Sequence, residues 1–360
     1  GDGADSLTGG SGNDVYLFDT GDVDSGESIT EASSGGTDAV AIVTTTDFAN
    51  MTAASFNEIE EIRFAGANQT GTFTGAQLTG ETLSLTETAS GTSNLIINVA
   101  SGTTATFANI TASTFTSGSD TITINGTTGN ETITGPNVAS TINGGTGDDN
   151  LTGGSAADII SGENGNDTID GGDGADSLTG GSGNDVYLFN TGDVDSGESI
   201  TEASSGGTDA VAIVTTTDFV NMTAASFNEI EEIRFAGANQ TGTFTGAQLT
   251  GETLSLTETA SGTSNLIINV ASGTTATFAN ITASTFTSGS DTITINGTTG
   301  NETITGPNVA STINGGTGDD NLTGGSAADI ISGENGNDTI DGGDGADSLT
   351  GGSGNDVYLF

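Results

Sequence analysis

Aspartates recur at a fixed place in a glycine-rich pattern near the middle of the chain. The stretch from Gly171 to Phe189 reads GGDGADSLTGGSGNDVYLF, in which Asp176 and Asp185 each stand sixth from the start of a Gly-Gly pair. A large apolar residue follows each aspartate two places on, Leu178 in the first case and Tyr187 in the second. Carboxylates repeated at this spacing form a regular row of hard oxygen ligands, which indicates binding of a cation such as Ca²⁺.

The composition leaves few alternatives to this chemistry. The 360-residue chain has 48 acidic residues and only 2 basic ones, Arg63 and Arg234, for a formal net charge of −46. Such a polyanion repels nucleic acid and anionic lipid, so neither is expected as a partner. The absence of Cys, His and Lys excludes zinc–thiolate sites, Ser-His-Asp triads and Schiff-base lysines. No run is apolar enough to span a bilayer, so we expect neither an enzyme nor membrane insertion.

The aspartates belong to a nine-residue period that continues for seven blocks. From Gly126 to Leu188 the blocks read GTTGNETIT, GPNVASTIN, GGTGDDNLT, GGSAADIIS, GENGNDTID, GGDGADSLT and GGSGNDVYL, and the same blocks recur over 297–359. The glycines predict tight turns, and the alternating residues after them predict a short strand whose eighth position points inward. Two blocks then make one coil of 18 residues, with coils stacked at roughly 4.8 Å. Carboxylates stacked at that distance repel unless a cation lies between them.

These blocks resemble the RTX, or haemolysin-type, calcium-binding repeat, whose pattern is GGxGxDx followed by a large apolar residue. The resemblance covers residues 126–188 and 297–359. It implies a parallel β-roll in which Ca²⁺ is held between successive turns by aspartate carboxylates and loop carbonyls. Parts of 18–125 are also similar to spacers of very large bacterial RTX and surface-layer-like proteins.

Carried over position by position, the resemblance assigns calcium ligands on both edges of each roll. In the first copy, one edge stacks Glu131, Asp149, Asp167 and Asp185, and the other stacks Ser140, Asp158 and Asp176. In the second copy, one edge stacks Glu302, Asp320, Asp338 and Asp356, and the other stacks Ser311, Asp329 and Asp347. Asp5 and Asp14 match the last two positions of an earlier set. Pro136, Val138 and Ser140 depart from the pattern, and Ala156 replaces a fourth-position glycine, so a site that needs Ser140 is the least expected.

An internal duplication organises the whole chain. Residues 1–189 recur as 172–360 with two differences, Asp19 to Asn190 and Ala49 to Val220. Such duplication without linkers is typical of arrays that stack repeat on repeat. The pattern predicts the end of a preceding β-roll over 1–17, Thr- and Ala-rich β spacers over 18–125 and 189–296, and β-rolls over 126–188 and 297–360.

The spacers lack the nonapeptide but contain short alternating runs such as DAVAIVTTT, EEIRFAG and DTITING. Strands this short fit either a parallel β-solenoid or a β-sandwich. The solenoid is favoured because DTITING (120–126) runs into the first nonapeptide block without a linker. Residues 47–62 predict one short helix with Asp47 as its N-cap. The expected fold is therefore all-β, with β-rolls and solenoid spacers forming an elongated rod whose coils take about 18–22 residues each.

These features favour a secreted structural protein loaded with several Ca²⁺ ions per repeat, which builds an extracellular filament, sheath, surface layer or adhesin stalk from copies of itself. Export from a bacterium by a type I system fits the resemblance. The alternative is a calcium-dependent folding and export module attached to a secreted enzyme or toxin. Many repeats in the full-length chain would favour the filament, and one catalytic domain ahead of this segment would favour the module.

Overall fold

Short parallel strands make up most of the protein. The computed structural model describes residues 3–31, 36–115, 119–202, 206–286 and 290–360, and the chain divides into two compact units, Gly1–Gly183 and Asn184–Phe360. The strands of the first unit are β1 Ser6–Thr8, β2 Val15–Phe18, β3 Ser28–Thr30, β4 Ala39–Ile42, β5 Thr46–Asp47, β6 Glu61–Phe64, β7 Thr70–Thr74, β8 Leu83–Glu87, β9 Asn94–Asn98, β10 Thr104–Thr106, β11 Ile110–Ala112, β12 Thr121–Asn125, β13 Thr132–Thr134, β14 Thr141–Thr146, β15 Asn150–Gly154, β16 Ile159–Asn164, β17 Thr168–Gly172 and β18 Ser177–Ser182.

The second unit repeats this order. Its strands are β19 Val186–Phe189, β20 Ser199–Thr201, β21 Ala210–Ile213, β22 Thr217–Asp218, β23 Glu232–Phe235, β24 Thr241–Thr245, β25 Leu254–Glu258, β26 Asn265–Asn269, β27 Thr275–Thr277, β28 Ile281–Ala283, β29 Thr292–Asn296, β30 Thr303–Thr305, β31 Thr312–Thr317, β32 Asn321–Thr323, β33 Ile330–Asn335, β34 Thr339–Asp341, β35 Ser348–Ser353 and β36 Val357–Leu359. The helical segments of the two units are 3₁₀ turns at Ala53–Phe56 and Ala224–Phe227, and single-turn helices α1 Gly75–Leu78 and α2 Gly246–Leu249.

Within each unit the strands stack as a parallel β-solenoid. In the first unit, β2, β4, β6, β8 and β11 form one sheet, and β5, β7, β9, β12, β14, β16 and β18 form another. In the nonapeptide segment the paired strands lie 18 residues apart, as in Ile142↔Ile160 and Asn150↔Thr168. The sequence-based prediction of a parallel β-roll with 18-residue coils is therefore confirmed.

The spacer continues the same solenoid, and the alternative of a β-sandwich is wrong. Strand β12 pairs in parallel with β9 of the spacer and with β14 of the first nonapeptide blocks. Register in the spacer is wider than the 18–22 residues expected, because Ala39 pairs with Glu61 but Ile122 with Leu95 and Thr104 with Thr132. Each spacer coil therefore encloses a larger cross-section than a coil of the β-roll.

Different side chains fill the two kinds of coil. In the nonapeptide segment, the predicted inward residues Ile133, Ile142, Leu151, Ile160, Ile169 and Leu178 are all fully buried. In the wider spacer, aromatic rings fill the centre: Phe48 stacks on Phe73 at 4.6 Å between ring centroids, and Phe56 packs edge-on against Phe73 at 5.4 Å. The volume of an aromatic side chain is what a longer coil needs to avoid an internal void.

The helix predicted over 47–62 is present only as a 3₁₀ turn. Asp47 is the last residue of β5, where its carboxylate accepts from the Ala49 amide at 2.9 Å, and the residue that precedes the turn is Thr52. The prediction of Asp47 as an N-cap is wrong because Asp47 closes a turn two residues long. The sequence reading also missed helix α1, whose N-terminus has a capping box between Thr74 and Gln77.

Candidate metal centre

A ladder of carboxylates follows each edge of the β-roll. On one edge, the Glu131 amide donates to Asp149 Oδ1 at 2.7 Å, and the Asp149 amide donates to Asp167 Oδ1 at 2.7 Å. On the other edge, the Asp158 amide donates to Asp176 Oδ1 at 2.7 Å. Each sixth-position carboxylate thus lies beneath the backbone of the residue one coil earlier. The 18-residue coil places one carboxylate per coil on each edge, as the spacing predicts.

The second oxygen of these carboxylates is the one available to a cation. Asp149 is only 2% exposed, and among the described residues its Oδ2 is buried without a hydrogen-bond partner. A methyl group on Gly144 would lie 2.5 Å from this oxygen and 2.9 Å from the Gly162 carbonyl oxygen, so both oxygens face the same point. A buried carboxylate oxygen left unpaired is costly. Carboxylate and carbonyl oxygens that converge are what Ca²⁺ coordinates, so the residues fit this ion.

The glycines are required by this geometry. Gly165 has φ +140°, and a Cβ there would overlap the carbonyl of Gly147 one coil earlier. At Gly162 the obstacle is instead the carboxylate of Asp167, which lies where a Cβ would be. The pattern therefore combines a backbone conformation that favours glycine with space for the carboxylate that the next strand supplies.

Burial makes these carboxylates difficult to ionise without a cation. Loss of solvent, together with neighbouring acids such as Glu131, raises the pKa of Asp149 to about 6, against the hydrogen bond from the Glu131 amide that lowers it. Desolvation likewise raises the pKa of Asp167 and of Asp320 to about 6. The pKa of Asp158 and of Asp338 is also raised, mainly by desolvation. Raised acid pKa values in a row of carboxylates mark a site that a cation would relieve.

The structure brings the predicted residues together as neighbours along the edges within each unit. In the second unit, the ladder runs from the Glu302 amide to Asp320 at 2.7 Å, from Asp320 to Asp338 at 2.8 Å and from Asp338 to Asp356 at 3.1 Å. Of the residues predicted as ligands, the buried ones are Glu131, Asp149, Asp158, Asp167, Asp176, Asp185, Glu302, Asp320, Asp329 and Asp338; Asp14, Asp347 and Asp356 are half-buried, and Asp5 is exposed. Their role as ligands stays a prediction.

Ser140 has a different place in the ladder. Its amide and its hydroxyl both donate to Asp158 Oδ1, at 2.7 and 3.0 Å. A hydroxyl used as a donor toward a carboxylate supports the stack without adding a negative charge to it. Ser311 and Asp329 repeat this arrangement in the second unit, with the same two hydrogen bonds at 2.8 and 3.0 Å.

The sequence reading missed that the ladder extends into the spacer. The Asp14 amide donates to Asp38 Oδ1 at 2.8 Å, and the Asp38 amide donates to Glu60 Oε2 at 2.8 Å. Both acids stand two places before a buried apolar residue, Val40 or Ile62, as Asp149 stands two places before Leu151. An acid at this position before an inward residue is therefore the signal that would have found them without any glycine pattern.

We expect Asp167→Ala to weaken calcium binding more than Asp158→Ala. The 18-residue spacing predicts that Asp167 serves one pair with Asp149 and another with Asp185, whereas Asp158 has a carboxylate partner only in Asp176. Asp167 and Asp158 are each 1% exposed, so the two substitutions are matched in burial. Isothermal titration calorimetry should show a larger loss of bound ions for Asp167→Ala, and equal losses would contradict the stacking of shared sites.

Comparison with known proteins identifies the repeats. The family model of the RTX calcium-binding nonapeptide repeat (four copies) matches residues 1–22, 125–160, 137–169, 152–187, 296–331, 308–340 and 323–358. No match was found among curated proteins. Repeats of this family bind calcium and are typical of secreted bacterial proteins. The segments that carry the carboxylate ladders of the two units are therefore RTX calcium-binding nonapeptide repeats, and the protein is a calcium-binding tandem-repeat protein.

Proposed function

We propose that this protein is a secreted structural element that becomes a stiff extracellular rod when it binds calcium, as part of a filament, sheath, surface layer or adhesin stalk. The observation that carries the proposal is strand β12, which pairs in register with both the spacer and the nonapeptide blocks. A unit with no linker between its two kinds of coil, repeated nearly unchanged along the chain, is suited to extending an array by copy number.

Calcium gives this proposal a folding switch. A chain with 48 acidic and 2 basic residues repels itself until cations neutralise the carboxylates. Where free calcium is scarce, as inside a cell, the chain stays loose enough for export, and it folds where calcium is abundant. Export by a type I system and assembly with copies of the same chain belong to this proposal. Among the described residues, no helix has the length and apolarity to cross a membrane.

The test of the rod is how length grows with the number of repeats. At roughly 4.8 Å per coil and about eight coils per repeat, each 171-residue repeat should add on the order of 40 Å. We expect small-angle scattering in calcium from chains of one, two and four repeats to give a constant increment in length and an unchanged cross-section. A chain of four repeats that scatters as separate globules would contradict the rod, and would favour the alternative role as an export module.

A further inference from the structure

A second cluster of acids lies where the first nonapeptide blocks meet the spacer. One carboxylate oxygen from each of Asp14, Glu31 and Asp38 lies within 4.8 Å of the other two. Glu31 and Asp38 belong to the spacer and lie outside the nonapeptide pattern. The second unit has the same cluster at Asp185, Glu202 and Asp209.

Two of the three carboxylates in the first unit have an oxygen that is buried and unpaired. Among the described residues, Asp14 Oδ2 and Glu31 Oε1 have no hydrogen-bond partner, although neither atom is accessible to solvent. Both oxygens face Gly9, where a Cβ would overlap them. Asp38 is 1% exposed, and its Oδ1 is already occupied by the Asp14 amide at 2.8 Å. The hydrogen bonds of the protein therefore leave the centre of the cluster unsatisfied.

A buried tyrosine hydroxyl points into the same place. Tyr16 is 8% exposed, and within the described part of the chain its hydroxyl has no partner. The equivalent hydroxyl of Tyr187 donates to Glu202, a member of the second cluster. The third equivalent, Tyr358, accepts from the amide of Gly351 at 2.6 Å, and Gly351 corresponds to the Gly9 that the unpaired oxygens face. A neutral hydroxyl, in addition to the three acids, therefore borders this centre.

We propose that Asp14, Glu31 and Asp38 bind one Ca²⁺ between the last nonapeptide coil and the first spacer coils, and that Asp185, Glu202 and Asp209 bind another. Oxygens that share an ion at about 2.4 Å can be at most about 4.8 Å apart, which is the limit that this cluster meets. Three carboxylates this close, two of them with buried unpaired oxygens, repel strongly without a cation. The inference concerns ion binding alone and does not depend on the role as a rod.

The ion has a polar route to this site. A cavity of about 660 Å³ lies beside Glu31 and is lined by Ser28, Thr30, Thr52 and Glu58 among others. The equivalent cavity beside Glu202 has a volume of about 490 Å³. The site would tie the first spacer coils to the β-roll, so that calcium orders the spacer as well as the nonapeptide segments.

Terbium luminescence tests this proposal selectively, because Tb³⁺ replaces Ca²⁺ at oxygen sites and emits when a nearby aromatic ring is excited. The chain has no Trp and 3 Tyr, and all three are equivalents of Tyr16. We expect the calcium-free protein titrated with terbium chloride to show tyrosine-sensitised emission. The double variant Glu31→Gln with Glu202→Gln should reduce this emission to near the background and bind one ion fewer per cluster by calorimetry.

Two controls keep the assignment specific. Asp158→Asn should lower the number of ions bound while leaving the sensitised emission unchanged, because it alters only a nonapeptide edge. Tyr16→Phe with Tyr187→Phe should remove the emission while leaving the number of bound ions unchanged. Circular dichroism in calcium verifies that each variant folds. Full emission and full ion binding in the folded Glu31→Gln, Glu202→Gln protein would overturn the proposal, and would leave the calcium sites of the nonapeptide blocks unaffected.

Discussion

Removing calcium at neutral pH is expected to abolish most of the β-sheet signal of this protein. The edges of each β-roll hold a stack of carboxylates that are almost fully buried, and Asp149, Asp320 and Asp338 each have an Oδ2 without a partner among the described residues. An uncompensated buried charge costs on the order of several kcal/mol, whereas a whole domain is stable by only about 5–15 kcal/mol. A few such charges are enough to unfold the roll.

Far-ultraviolet circular dichroism of protein freed of calcium by chelation and desalting measures this effect. Adding calcium should restore the spectrum cooperatively, whereas equimolar magnesium should not, because Mg²⁺ demands a smaller octahedral shell and keeps its waters. Mass spectrometry of the intact protein verifies that the ions are gone. A full β-sheet spectrum in protein shown to be free of calcium would contradict the role assigned to the ion.

The nonapeptide segment could be predicted from sequence because its period fixes its register. A turn that needs glycine, an acid at the sixth position and an inward residue at the eighth recur every nine residues, so one block determines where the next one lies. Ile142↔Ile160 and Asn150↔Thr168 follow directly from this repetition. The carboxylate ladder follows too, since residues 18 apart must lie above each other.

The spacer was predictable only as a class of fold. Its coils have no fixed length, because loops between strands vary and the aromatic core around Phe48 and Phe73 sets the width of the coil. Without a period, nothing in the sequence shows that Asp14 lies beside Asp38. The acid two places before an inward residue is a weaker signal, and it becomes useful only once the strand that contains Val40 is known.

Acidification is expected to restore the fold of the calcium-free protein. Desolvation raises the pKa of Asp149, Asp167 and Asp320 to about 6, above the value of about 4 for an unfolded chain. The folded state therefore binds more protons than the unfolded state between these two values, so stability without calcium rises as the pH falls. The gain is complete below about pH 4 and is lost as the pH rises through about 6. Protons thus replace calcium in neutralising the stack.

This mechanism predicts that Asp149→Asn changes the sign of its effect with calcium. In calcium, the variant loses a charged ligand and should be less stable than the natural chain. In calcium-free protein at pH 7, the neutral amide removes the buried charge, and its NH₂ group can donate to the Gly162 carbonyl oxygen that faces the same point. The variant should then be more stable by about 1–3 kcal/mol, allowing for solvent screening.

Chemical denaturation of both proteins, with and without calcium, measures this inversion. Where the calcium-free chain is unfolded at pH 7, the same gain appears as a midpoint of the acid refolding curve moved to higher pH. The matched control is Asp173→Asn, which removes one negative charge from an exposed side chain and reports the general relief of repulsion in a chain of net charge −46. A shift as large for Asp173→Asn as for Asp149→Asn would show that total charge, rather than the buried stack, controls folding, and a destabilised Asp149→Asn in both conditions would refute the inversion.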